Sequence, residues 1–228
     1  SLFFAGDLGQ RIFQPPFSWK KLGVDIRGRS RTLRVNYRTS HQIRRQADLL
    51  LDPEISDVDG NIEDRSETVS VFNGPKPEIQ TFDNMEKENV FIGKWLNELA
   101  QQNILPEEIG LFVRSETEIQ RAIAAVEQAD LKSHIIDSQM ASKSNHVSIS
   151  IMHLAKGLEF RAVVVMACDA EVIPSQNRFE TVSESSDLEE AYNSERRLLY
   201  VACTRARDQL LVTGTEPGSE FLDDLLSR

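Results

Sequence analysis

The stretch 195–207, ERRLLYVACTRAR, carries an apolar stripe that ends in an arginine. Leu198, Val201, Ala202 and Arg205 share one face at a helical period of about 3.6 residues, so the Arg205 guanidinium leaves from the apolar side. Desolvating a guanidinium without a partner is costly, and the position therefore calls for a phosphate or a carboxylate. An amphipathic helix with solvated ends is the plainer alternative. On the first reading, replacing Arg205 costs activity rather than stability.

Upstream, Val147, Ile149 and Ile151 alternate with Ser148, Ser150 and Met152, the period-two pattern of a half-buried strand. The strand breaks into His153-Leu-Ala-Lys-Gly-Leu-Glu159, a loop holding an imidazole, an ammonium, a glycine and a carboxylate. In open parallel sheets, ligands bind at loops leaving the carboxyl ends of strands. The rest of the chain alternates in the same way. Strands are expected at 78–82, 109–113, 134–136, 162–167 and 209–213, with helices from Thr39, Asp83, Ser115 and Glu195. That alternation argues for an α/β fold, a mostly parallel sheet with helices on both faces.

The residues HLAKGLEF (153–160) and ERRLLYVACTRAR resemble the late motifs of the UvrD/Rep-type superfamily 1 DNA helicases. FFAGDLGQRIF at 3–13 and LRVNYRTS at 33–40 agree with it, four matches in family order. The resemblance implies a RecA-like domain, the C-terminal half of a motor that hydrolyses ATP with Mg²⁺ between two such domains. It divides the chain into the tail of a first motor domain and linker (1–32) and the second RecA-like domain (33–228). Between 136 and 147 the family often carries a large helical insertion, and here only a short connector stands.

The resemblance also implies roles. Gln10 senses the terminal phosphate of the nucleotide; Arg38 and Arg205 reach that phosphate across the cleft; Glu159 holds the ribose. Lys156, beside Gly157, is placed to bind phosphate or the loop's own carbonyls. His153 is the nucleic-acid contact of the loop, although Ile151 replaces the threonine common two residues before it. Phe13 matches a base-stacking tyrosine and Trp19 a tryptophan in a rebuilt loop, where both are equally suited to anchor the loop on the core. Independently of the resemblance, Arg38 stands just before a helix N-terminus, a favourable place for an anion.

Composition sets the outer bounds. The 228 residues are 40% hydrophobic, enough for a substantial core, and the formal charge is −10. Yet between Lys20 and Arg45 nine basic residues stand against Asp25 alone, and Arg27, Arg29 and Arg31 are candidate backbone contacts for single-stranded DNA or a DNA junction. The acidity collects in 52–67 and 180–195, read as solvated loops. No metal site is expected, and Cys168 and Cys203 read as buried reduced thiols. No apolar run approaches a membrane span and no leader opens the chain, so a cytoplasmic fragment is expected.

No GxxxxGK[ST] phosphate loop occurs in the sequence, so the ATP site needs an N-terminal RecA-like domain of the same polypeptide. The leading expectation is half of an ATP-dependent DNA helicase or translocase, moving 3′ to 5′ as the family does and inactive alone. The alternatives are a helicase-derived nucleic-acid or protein-binding module without ATPase activity, and a helicase-like ATPase that remodels RNA polymerase or another protein–nucleic acid complex.

Overall fold

The computed structural model describes residues 10, 12, 18, 20–24, 33–52, 54–56, 62–64, 68–136, 142–180 and 185–226. Its elements in chain order are β1 (Val35–Asn36), α1 (His41–Ala47), β2 (Glu54–Ser56), β3 (Ile62–Asp64), β4 (Val69–Ser70), β5 (Glu78–Phe82), α2 (Met85–Gln101), β6 (Ile109–Val113), α3 (Ile119–Glu127) and β7 (Ser133–Ile135). They continue with β8 (Val147–Ile151), β9 (Phe160–Val165), α4 (Gln176–Glu180), α5 (Ser185–Cys203), β10 (Ala206–Thr215) and α6 (Glu220–Leu226).

The main sheet has six strands in the order β5-β10-β9-β6-β8-β7, and every pairing in it is parallel. Parallel neighbours need crossovers, and these put helices on both faces. The strands show the division residue by residue. Val163, Val165, Leu210 and Val212 pack with Ile43, Leu198, Val201 and Phe221 on the face of α1, α5 and α6. Their alternates Ala162, Val164 and Leu211 pack with Ile92, Leu96, Ala122 and Val126 on the face of α2 and α3. The sequence expectation of a parallel α/β sheet holds.

Several local expectations change. The strand at 147–151 is not half-buried: Ser148 and Ser150 are 1% exposed, because neighbouring strands flank it and layers cover both its faces. The helix expected over 195–207 begins at Ser185, ten residues before Glu195, and ends at Cys203, so much of the acidic stretch 180–195 is helix rather than loop and Arg205 stands in the turn before β10. Glu189 and Glu190 are exposed to water, while Ala191 and Tyr192 turn inward, Tyr192 meeting Phe221 edge to face. Within 52–67, β2 and β3 pair antiparallel. Ser40, not Thr39, caps α1, its Oγ accepting from the Ile43 N–H at 3.4 Å.

Gln42, in the first turn of α1, accepts from the Gly74 N–H at 2.8 Å. Helix α2 is capped by Asn84 rather than Asp83, with the Lys87 N–H donating to Asn84 Oδ1 at 3.0 Å. Phe13, Trp19, Arg27, Arg29 and Arg31 lie outside the described residues.

The sheet has two functionally distinct ends. All six strands run from an amino edge near Phe160 and Ala206 to a carboxyl edge near Arg114, His153 and Asp169. The loop 152–159 starts at the carboxyl edge after β8 and finishes at the amino edge before β9. It crosses the sheet with Met152, Ala155 and Leu158 pressed into the core. Helix α5 makes the same crossing in the next connection.

Candidate functional site

The amino edge collects the residues to which the resemblance gave nucleotide roles. Ser40 N–H donates to the Arg207 carbonyl at 3.0 Å, which pins the start of α1 to the start of β10. Gly74 allows this approach, since a Cβ there would lie 2.8 Å from the Asp208 carbonyl oxygen and 3.0 Å from Ser40 Cβ. Just ahead, Asn36 Oδ1 accepts from the backbone N–H groups of Arg38 (2.8 Å) and Thr39 (3.3 Å), a side-chain turn that sets the direction of Arg38.

Arg38 Nε then meets Glu159 Oε2 at 3.2 Å, both side chains 48% exposed. The pair is open to water and so weakly held, on the order of 0–1 kcal/mol.

Arg205 occupies the same edge from below. It is 1% exposed, and Nε donates to the Val201 carbonyl (3.0 Å), Nη1 to the Leu158 carbonyl (3.4 Å) and Nη2 to Thr204 Oγ1 (3.3 Å). The expected exit from the apolar face is what the structure shows. Phe160 N–H returns a bond to the Arg205 carbonyl at 3.0 Å. Lys156 Nζ donates to the Gln10 carbonyl at 3.3 Å, so the ammonium serves a backbone oxygen here. Gly157 has φ +93°, a left-handed conformation that disfavours any side chain. One loop thus gathers Gln10 through Lys156, Arg205 through Leu158 and Arg38 through Glu159.

His153, at the other end of that loop, belongs to a different cluster. Arg114, directly after β6, donates from Nε and Nη2 to the two oxygens of Glu195, both at 2.6 Å, and its Nη1 lies 3.4 Å from His153 Nδ1. Arg178 Nη1 and the Ser175 N–H reach the same carboxylate at 3.2 Å each. Burial alone would raise the Glu195 carboxyl, but the Arg114 hydrogen bonds and charge reverse this and hold it below the ordinary range. Burial first, and then the charges of Arg114 and Arg178, depress the His153 imidazole against the opposing pull of Glu195. His153 is therefore mainly neutral at pH 7.

A second buried network stands nearby on the opposite face. Arg121 of α3 donates from Nε to Glu88 Oε2 at 2.7 Å and from Nη1 to Asp169 Oδ2 at 2.5 Å. Glu88 Oε1 accepts from Thr213 Oγ1 (2.6 Å) and the Ala167 N–H (3.2 Å), and Asp169 Oδ1 accepts from the Thr215 N–H at 2.6 Å. These bonds tie both helices of that face to the ends of β9 and β10.

The sequence reading did not single out Arg114, Arg178 or Glu195 as a group. Arg114 and Glu195 are 81 residues apart, and only the sheet order brings them together. The available signal was a charged residue placed directly after the wholly buried strand Ile109–Val113. Cys168 and Cys203 are buried free thiols, and burial pushes Cys203 up to about 12. No group of potential metal ligands and no membrane-length apolar helix occurs among the described residues.

Comparison with known proteins agrees with the motifs. Residues 116–216 match the family model of the UvrD-like helicase C-terminal domain. A probable DNA helicase II homolog of Mycoplasma capricolum is 37% identical over 99 residues, which span 42% of this chain and 12% of that protein. The ATP-dependent DNA helicase PcrA of Staphylococcus epidermidis is 36% identical over 79 residues, 35% of this chain and 10% of that protein. The matched stretch is thus about a tenth of the length of these relatives. In structure, the chain resembles the C-terminal domain of a possible DNA helicase from Lactobacillus plantarum WCFS1, with a TM-score of 0.57 at 20% identity, covering 83% of this chain and 94% of that one. That likeness concerns the fold.

Proposed function

We propose, for a chain whose residues 116–216 belong to the UvrD-like helicase C-terminal family, that it is the second motor half of an ATP-dependent DNA helicase or translocase. The observation that carries this is the convergence of Gln10, Arg38 and Arg205 on the single loop 153–159. An exposed pair such as Arg38 and Glu159 is easily exchanged: a phosphate takes the guanidinium and the released carboxylate accepts from a ribose hydroxyl. Such charge-assisted bonds are stronger than the exposed pair they replace.

Arg205 plays a later part. At 1% exposure, it meets a phosphate only after the groups covering it shift, as they would when a first motor domain closes on the edge. When bound, MgATP supplies the scissile phosphoryl group. The chain's own contribution is charge placed to stabilise its transfer, on the order of a thousandfold in rate for such an arginine. Tyr37, 73% exposed beside Arg38, offers a flat face for a base.

In this reading the first motor domain belongs to the same polypeptide, residues 1–32 lead out of it, the nucleic acid is single-stranded DNA or a junction, translocation runs 3′ to 5′, and the setting is cytoplasmic. The short connector at 136–146 leaves no room for a large auxiliary domain between β7 and β8, which favours translocation over extensive unwinding. The test is DNA-stimulated ATP hydrolysis by this chain alone and by the polypeptide that includes a phosphate-loop domain. Turnover only in the second supports the proposal; turnover by the isolated chain overturns it.

A further inference from the structure

The amino edge carries a second open ion pair besides Arg38 and Glu159. Arg207, the second residue of β10, donates from Nε to Asp208 Oδ1 at 2.8 Å and from Nη2 to Asp208 Oδ2 at 2.9 Å, with 45% of its side chain in solvent. Asp208 also accepts from Arg161 Nε at 3.1 Å, and Arg161 Nη1 is anchored by Glu108 at 3.1 Å and the Asn103 carbonyl at 3.0 Å. Asp208 thus holds two guanidinium groups. Arg161 is tied to three residues, whereas the Arg207 side chain is hydrogen-bonded, among the described residues, to Asp208 alone.

Arg207 stands close to both members of the first pair. Glu159 and Arg207 flank the paired residues Phe160 and Ala206, where β9 and β10 begin side by side. The Ser40 N–H, two residues beyond Arg38, donates to the Arg207 carbonyl at 3.0 Å. The Asp208 hydrogen bonds raise the Arg207 guanidinium above its ordinary value against the effect of burial, and the charges of Asp208, Glu108 and Glu159 add to this. Glu159 is thus already within electrostatic reach.

We propose that Arg207 is a positioning residue for the nucleotide: when Arg38 passes from Glu159 to a phosphate, Arg207 moves from Asp208 to Glu159 and holds that carboxylate toward the ribose, while Arg161 keeps Asp208 paired. This rests on the nucleotide reading of the edge given above. The need arises from the exchange itself. Once Arg38 is claimed, Glu159 is a bare carboxylate beside an incoming polyphosphate, and like charges at close range oppose binding. A cation from the same edge removes that penalty. Its transfer costs little, because the Arg207–Asp208 pair is open to water and Asp208 keeps its other guanidinium.

The test uses the polypeptide that joins this chain to a phosphate-loop domain, with Arg207→Ala, Arg207→Lys, Glu159→Gln and the double variant of Arg207→Ala with Glu159→Gln. KM and kcat are measured with ATP and with 2′,3′-dideoxy-ATP, which lacks both ribose hydroxyls, and the Kd of a non-hydrolysable ATP analogue is measured by calorimetry. Arg207→Ala is expected to raise KM for ATP and the Kd of the analogue about fivefold, the upper range for a solvent-accessible pair, with a much smaller fall in kcat. The rise in KM should be smaller with dideoxy-ATP, so the preference for the intact ribose shrinks. Arg207→Lys should restore most of the affinity. In the Glu159→Gln background Arg207→Ala should add little, because the carboxylate that it serves is gone.

A wild-type KM in Arg207→Ala overturns the proposal, as does an equal rise with both nucleotides or an undiminished effect in the Glu159→Gln background. A melting temperature that falls together with kcat in Arg207→Ala assigns the residue to the fold and also overturns it. The nucleotide reading fails separately, when the wild-type polypeptide neither hydrolyses ATP nor binds the analogue, so the two failures are distinguishable.

Discussion

The two edges of the sheet hold their charges in opposite ways. At the carboxyl edge Glu88 and Glu195 are fully buried, and each carboxylate is engaged by guanidinium and backbone or hydroxyl donors. At the amino edge Arg38 and Glu159 meet once, at 3.2 Å, with half of each side chain in water. The first arrangement fixes the fold and the second leaves a charge ready to change partners. A carboxylate that is removed from water and fully hydrogen-bonded belongs to the architecture, whereas an arginine that keeps its hydration can be claimed by a ligand at little cost.

The comparison breaks first if the buried side proves dispensable. Glu88→Ala leaves Arg121 without its buried partner and Thr213 without its acceptor. The expected loss is about 3–5 kcal/mol of unfolding free energy, measured by denaturant titration. A loss below 1 kcal/mol would erase the contrast between the edges.

A smaller loss, about 1–3 kcal/mol, is expected for Gly110→Ala. The added Cβ would lie 2.4 Å from Phe160 Cδ2, in a ring that packs edge to face on Phe112 at 6.0 Å. The same denaturant titration checks it, and a neutral result would mean that the start of β9, which carries Glu159, is less firmly seated than its packing indicates.

Acid should sharpen the contrast further. His153 and Glu195 both have depressed values in the fold, so the unfolded chain binds protons more readily. Their stabilisation is complete above the ordinary imidazole value of 6.5 and is lost as pH falls, first through His153 and then, below 4.5, through Glu195. Thermal unfolding at pH 5 against pH 7.5 should show a drop that His153→Gln reduces. A variant with an unchanged drop would move the acid sensitivity elsewhere.

These cases also show how far the sequence could be read. The stripe Leu198, Val201 and Ala202 is local and forms the buried face of α5; Arg205, expected to continue it, is buried too, although α5 ends at Cys203 and the arginine stands in the turn before β10. The alternation at 147–151 identified β8 but not its burial, because covering both faces of a strand depends on sheet order. The division of the loop 153–159 between two edges was not legible either. A site at carboxyl ends of strands was expected, yet Glu159 and Arg205 stand at the amino edge, since the loop crosses the sheet.

Arg205 corrects a further expectation. The Leu158 carbonyl accepts from Arg205, whereas the Val201 carbonyl keeps the Thr204 hydroxyl as a donor at 3.1 Å, so removal of the guanidinium costs about 1–3 kcal/mol at Leu158, and loss of activity in Arg205→Ala would be mixed with loss of stability.

Arg38 is free of that confusion and gives the smallest expected effect on the fold. Arg38→Ala should change stability by less than about 1 kcal/mol, because its pair with Glu159 is exposed. The decisive measurement is therefore the kcat for DNA-stimulated ATP hydrolysis by Arg38→Ala in the polypeptide that joins this chain to a phosphate-loop domain, with thermal unfolding recorded on the same sample. A fall on the order of a thousandfold at an unchanged melting temperature is the predicted result. Wild-type turnover, or a fall matched by unfolding, would contradict the assignment of the amino edge to the nucleotide.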